Sequence, residues 1–141
     1  METNINKKIM SSVKAINIDR TQDKHDWIYG SLWQHDEESY IMADYPVRFD
    51  EVDPNTICRL AGKIDMDWIF ENDIIQIAAF DLIKPFKLTT GKVVWMEKEM
   101  CWGIDINYEY GLPNVIPLCE IIRNYTKCEI TKLGNIYDPK E

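Results

Sequence analysis

"FENDIIQIAAF" (residues 70–80) sets Glu71, Asn72 and Asp73 directly against an apolar run broken only by Gln76. Asn tolerates positive φ better than almost any residue except Gly, and Asp hydrogen-bonds to nearby backbone amides, so Glu-Asn-Asp predicts a tight corner. The chain turns there and enters the core. From Ile74 to Phe80 both faces are apolar apart from Gln76, the pattern of a strand covered on both sides or bent around a small barrel.

Short β-rich runs recur on either side of this strand. "WIYGSLW" (27–33) and "YIMA" (40–43), joined by the polar "HDEES", read as a hairpin, and "PVRFDEV" (46–52) as a short edge segment after Pro46. In "VDPNTICRLAGK" (52–63), Asp53 followed by Pro54 suits the start of a helical turn, while Thr56, Ile57 and Leu60 suit a strand. The preferred reading is a turn leading into a strand that ends at Gly62. "GKVVWMEKEMCWGIDI" (91–106) gives the clearest hairpin, with VVWM and CWGIDI around the polar tip Glu97–Glu99 and with Trp95 and Trp102 as cross-strand neighbours. "YEYGLPN" (108–114) makes another turn, "VIPLCEII" (115–122) is a strand or one helical turn, and "KCEITKLGNIYD" (127–138) is a strand interrupted at Gly134. Strand after short strand predicts a mainly β domain, a small barrel or strongly curved sheet with little helix.

A chain of 141 residues fits one domain with a real core. Five Trp, seven Tyr and four Phe supply large anchors for it. Residues 1–24 mix Asn, Lys, Ser and Asp with scattered Ile and Val, so the expectation is a mobile or loosely docked arm, followed by a single domain over 25–141. No segment approaches the ~20 apolar residues of a membrane helix, which leads to the expectation of a cytoplasmic protein without a membrane partner.

The net charge of −8 is unevenly placed: residues 31–80 carry three basic and eleven acidic side chains, and the rest of the chain is near neutral. Such a region repels phosphate backbones and attracts basic partners. Cys58, Cys101, Cys119 and Cys128 are 43, 18 and 9 residues apart, with no CxxC pair, so they read as reduced, mostly buried thiols and not as a zinc site. His25 and His35 lie in polar surroundings and suit solvated side chains. No metal and no cofactor is expected.

Four segments fall in a telling order: "WIYGSL" (27–32), "VDPNTICRLAG" (52–62), "IFENDII" (69–75) and "EITKLGNIYDP" (129–139). In sequence and spacing they resemble the YopX family, small proteins of bacteriophages and prophages whose molecular function is unknown. The family pattern runs Trp-Val-Tyr-Gly, Val-Asp-Pro-Glu-Thr-Val, Glu-Gly-Asp-Ile-Val or Glu-Asn-Asp-Ile, and a terminal Gly-Asn-Ile-Tyr. The matching positions here are Trp27, Tyr29 and Gly30; Asp53, Pro54 and Gly62; Glu71, Asn72, Asp73 and Ile74; and Gly134, Asn135, Ile136 and Tyr137. One departure is "AGKIDMDW" (61–68), which lacks the Asn-Gly pair of the family's turn there. The resemblance implies a β-rich α+β fold in which the Asp73 strand joins an SH3-like or related barrel with a hairpin extension. It implies phage or prophage origin and no reaction.

Asp65, Asp67, Glu71 and Asp73 are the one carboxylate cluster of a kind that binds a cation or serves as acid and base. They lack the ligand spacing of a calcium loop and read better as turn formers and solvated acids. No Gly-rich phosphate loop and no nucleophile motif is present, so no catalytic residue is assigned and an enzyme is not expected. Two classes of function remain. The first is a protein-interaction module whose acidic central third, with Trp33, Asp36, Glu37, Glu38, Asp65 and Asp67 as candidate surface residues, binds a host or phage protein. The second is a small nucleic-acid-binding barrel that uses exposed aromatics as stacking platforms and Lys84, Lys87, Lys92 and Lys98 as a backbone groove. Self-association is compatible with either, since a β-rich domain has edges to cover.

Overall fold

In the computed structural model, which describes residues 12–18, 26–44, 47–64 and 67–138, the protein is mainly β and its strands pair antiparallel. The described residues up to Leu60 form one compact unit and those from Ala61 to Asp138 a second, where the sequence reading expects a single domain over 25–141. No change of composition marks this division, because it falls inside a continuous strand.

The first unit contains β1 (Val13–Ile16), β2 (Trp27–His35), β3 (Glu38–Asp44), β4 (Val47–Val52), a 3-10 turn (Pro54–Thr56) and the start of β5 (Cys58–Ile64). Its strands lie in the order β4-β3-β2-β1-β5. β1 therefore sits between two neighbours, pairing Val13 with both Gly30 and Arg59, and all four of its residues are buried. It falls within the 1–24 stretch expected to be a loosely docked arm; four residues are too few to register a periodicity, and only the partner strands reveal the element. The rest of that stretch, residues 1–11 and 19–24, lies outside the described residues.

Val13, Ala15, Ile28, Ile41 and Val52 make the core of this unit, with Ile57 packed against it. Full burial of one such aliphatic side chain is worth about 1.5–3 kcal/mol. Gly30 is required by packing: a Cβ there would lie 2.3 Å from the Met42 carbonyl oxygen. The Asp53-Pro54 reading is realised as a cap, since Asp53 Oδ1 accepts from Asn55 N at 3.0 Å. Thr56 Oγ1 then accepts from Ile16 N at 2.9 Å and donates to the Asp53 carbonyl at 2.8 Å, tying the turn to β1. β5 runs on past Gly62, the expected end, to Ile64.

The second unit contains β6 (Asp67–Phe70), β7 (Asp73–Phe80), β8 (Lys87–Met96), β9 (Cys101–Asp105), β10 (Val115–Pro117), α1 (Leu118–Asn124) and β11 (Lys127–Asn135). Five strands form a sheet in the order β10-β9-β8-β7-β11. The Glu-Asn-Asp corner is present, with Asn72 at φ 69°. β7 alternates, however, with Asp73, Ile75, Ile77 and Ala79 buried and Ile74, Gln76 and Ala78 half-buried, so it is covered mainly on one face. Ile69, Ile75, Ile77, Val93, Ile104 and Ile121 form the core. "VIPLCEII" supplies both a strand and a helix: β10 pairs with β9, and α1 then lays Ile121 on the core. Trp95 and Trp102 are opposite each other, their rings edge to face with centroids 5.3 Å apart. β10 and β11 leave open edges to this sheet, and no closed barrel is present among the described residues.

Candidate interaction surface

Strand alternation decides what one face of the first unit displays. The register pairs Trp33 with Tyr40, Ser31 with Met42 and His35 with Glu38, then Met42 with Phe49 and Tyr40 with Glu51. Directly opposed residues share a face, so Trp33, His35, Glu38, Tyr40, Met42, Phe49 and Glu51 stand together. Trp33 is 46% exposed, Phe49 50% and Met42 44%, so this is an apolar and aromatic face open to solvent.

The rings pack into one cluster. Tyr40 and Phe49 stack with centroids 4.7 Å apart, Trp33 meets Phe49 edge-on at 5.2 Å, and Trp33 lies over His35 at 5.7 Å. Each such contact adds about 0.5–1.5 kcal/mol beyond burial, enough to hold the rings in place without a ligand. Carboxylates surround the rings. The Tyr40 hydroxyl donates to Glu38 Oε2, which together with nearby Glu51 pushes the phenol above its ordinary value. His35 Nε2 lies 3.4 Å from Asp36 Oδ2, and Asp36 turns the hairpin at φ 55°. Further along the same face, Lys14 is buried with its ammonium 4.2 Å from the centroid of the Trp27 ring, while Tyr29 is 44% exposed. The chain thus already seats one cation on an aromatic ring of this face.

Of the candidate surface residues read from sequence, Trp33, Asp36, Glu37 and Glu38 come together in the β2–β3 hairpin. Asp67 belongs to the second unit, and Asp65 lies outside the described residues. Trp33 is the exposed tryptophan, and Trp27, Trp68, Trp95 and Trp102 are half-buried. Sequence reasoning missed Tyr40, Met42 and Phe49. Counting back equally from the Asp36–Glu37 turn would have placed Tyr40 beside Trp33.

The carboxylates of the second unit have other duties. Asp73 is fully buried; its Oδ2 accepts from Phe70 N at 2.7 Å and its Oδ1 from Asn135 Nδ2 at 2.8 Å. Lys132 Nζ lies 3.7 Å from Asp73 and 3.9 Å from Asp67, and donates to the Trp68 carbonyl at 3.2 Å. An ammonium therefore occupies the space between the two carboxylates that a metal ion would need. Among the described residues no group of three or more His, Cys, Asp or Glu is placed to hold a metal. Glu71, Asn72, Asp73 and Asn135 meet here: Asn135 Nδ2 also donates to the Glu71 carbonyl, and Ile136 N to the Asn72 carbonyl. Asn135 Oδ1 in turn accepts from Tyr137 N, and the β7–β11 register shifts at Gly134. This is a folding knot.

The lysines of the nucleic-acid reading, Lys84, Lys87, Lys92 and Lys98, all belong to the second unit, and the aromatic cluster belongs to the first. Lys84 Nζ caps the Asn124 carbonyl and sits 5.1 Å from the Tyr125 ring centroid. Among the described residues no helix is long and apolar enough to cross a membrane. Compared with protein-family models, with curated proteins and with solved structures, the chain matches none.

Proposed function

We propose that this chain is a phage- or prophage-encoded accessory protein, acting in the cytoplasm of the bacterial host as a non-catalytic interaction module that docks a basic protein surface on the Trp33–Tyr40–Phe49 face. The observation that carries this reading is an open aromatic cluster set among carboxylates. Rings attract guanidinium and ammonium groups through their π faces, and Glu38, Glu51 and Asp36 add charge of the matching sign. The same charge opposes a phosphate backbone, so a host or phage protein with exposed Arg and Lys is the better occupant. The placement of Lys14 over Trp27 supports this chemistry from within the fold. Phage origin and a YopX-like, SH3-related fold belong to the same proposal, supported by the order of the four motifs and by the meeting of Glu71, Asn72, Asp73 and Asn135 in one knot.

The test titrates the labelled full chain, followed by NMR, with an Arg- and Lys-rich peptide and separately with oligothymidine. Expected are salt-sensitive shifts of Trp33, Tyr40 and Phe49 with the peptide, lost in the Trp33→Ser/Phe49→Ser variant while far-UV circular dichroism is unchanged. Peptide binding that the double substitution leaves intact, or oligothymidine binding centred on Lys84 and Lys87, overturns the proposal.

A further inference from the structure

We propose that the partner of the Trp33–Tyr40–Phe49 face is a second copy of this chain, which docks its 81–87 loop there so that copies join head to tail, an inference that rests on the reading of that face given above. The loop leads from β7 into β8 and carries the two most exposed large apolar side chains among the described residues, Leu82 and Ile83. β7 alternates, burying Ile75, Ile77 and Ala79, so Phe80 stands on the other face of the sheet. Leu88 shares that face, since the register sets it opposite Ala78. The Phe86 ring centroid lies 5.1 Å from that of Phe80, and both Phe86 and Leu88 are more than half exposed. The loop and the adjoining end of the sheet thus present a run of apolar side chains to solvent.

The loop is held by its own bonds. The Asp81 carboxylate accepts from Ile83 N and Lys84 N and from Thr126 N and Oγ1, so the apolar side chains are presented without the ordering cost of a flexible segment. Lys84 and Lys87 bracket Phe86, and the Asn124 carbonyl and the Tyr125 ring fix the Lys84 ammonium beside the loop. The loop therefore offers what the face of the first unit takes: aliphatic and aromatic groups for Trp33 and Phe49, and two ammonium groups for Glu38 and Glu51. An anionic lipid surface also takes apolar side chains beside lysines, but the acidic side chains of residues 31–80 oppose it, and it leaves the aromatic face unused. Loop and face belong to different units, so the contact is heterologous: a copy that gives its loop to one neighbour keeps its face for another.

The experiment follows the mass of the full chain by sedimentation velocity over a range of concentrations. It compares the wild type, a face variant (Trp33→Ser/Phe49→Ser) and a loop variant (Leu82→Ser/Ile83→Ser), with far-UV circular dichroism as the check on folding. Expected is a wild-type mass that rises with concentration and falls on adding sodium chloride or an Arg- and Lys-rich peptide. Each variant alone should associate at least about tenfold more weakly. An equimolar mixture of the two should form a one-to-one heterodimer and nothing larger, since one loop and one face remain intact between them. The loop variant should still bind the peptide. A wild type that stays monomeric while binding the peptide overturns this inference and leaves the functional reading standing; one that neither associates nor binds the peptide overturns both. A mixture of variants that stays monomeric, association that the loop variant retains in full, or capture by anionic vesicles through Leu82 and Ile83 without self-association would each overturn the inference as well.

Discussion

Asn135 donates its side-chain amide to Asp73 at 2.8 Å across 62 residues of sequence, and so closes the last strand of the second unit onto the corner that begins its sheet neighbour β7. Asp73 is fully buried and lies 3.7 Å from Lys132, so removing either polar partner leaves a charge or an amide unsatisfied. Asn135→Ala is expected to cost about 1–3 kcal/mol and Asp73→Ala about 3 kcal/mol or more by urea denaturation. Costs within 0.5 kcal/mol of zero for both would show that the knot contributes nothing to stability.

The corner makes its own demand. Asn72 sits at φ 69°, with its N–H donated to the Val93 carbonyl at 2.8 Å. Asn72→Val forces a β-branched residue into that region and is expected to destabilise by about 1–3 kcal/mol, whereas Asn72→Gly should hold near wild type. Thermal melts of the two variants side by side decide it, since equal Tm values would remove the backbone argument.

The same local chemistry explains what was legible in the sequence. Corners, caps and hairpins announce themselves within a few residues: Asn72 by its tolerance of positive φ, Asp53-Pro54 by its cap, Trp95 and Trp102 by their symmetry about a polar tip. What depends on distant strands does not. β1 is central only because Gly30 and Arg59 flank Val13, and the division near Leu60 falls within a strand that reads as continuous. The candidate site was legible as to charge and as to Trp33, yet Phe49 joins it only through the β3–β4 register, which no periodicity in "PVRFDEV" specifies.

Glycines separate packing from conformation. A Cβ on Gly30 would meet the Met42 carbonyl oxygen at 2.3 Å, and one on Gly91 the Asp105 carbonyl oxygen at 2.5 Å, backbone atoms that cannot swing aside. Gly62 has nothing within 4 Å of the same position. Gly30→Ala and Gly91→Ala are expected to lose about 1–3 kcal/mol, and Gly62→Ala to gain about 0.4–1 kcal/mol by restricting the unfolded chain. A common sign for all three in chemical denaturation would contradict this packing account.

Asp81 anchors the loop that carries the most exposed aliphatic side chains of the second unit, Leu82 at 96% and Ile83 at 93%. Its Oδ1 accepts from Thr126 Oγ1 at 2.6 Å and from Thr126 N at 3.2 Å, and its Oδ2 from Ile83 N at 3.1 Å and Lys84 N at 3.0 Å. These bonds, the Thr126 hydroxyl first, hold the carboxyl down from 3.8 to about 2. The folded value lies below the unfolded one, so the anchor contributes fully above about pH 4 and is lost as pH falls through about 2. A carboxyl carbon titration followed by NMR should therefore place the Asp81 midpoint near 2 in the wild type, and Thr126→Val should move it upward. In Asp81→Asn, amide exchange at Ile83, Lys84 and Thr126 should quicken while the global unfolding midpoint changes little, because the loop lies outside the core. A wild-type midpoint at the ordinary carboxylate value would mean that Asp81 does not hold this loop in solution.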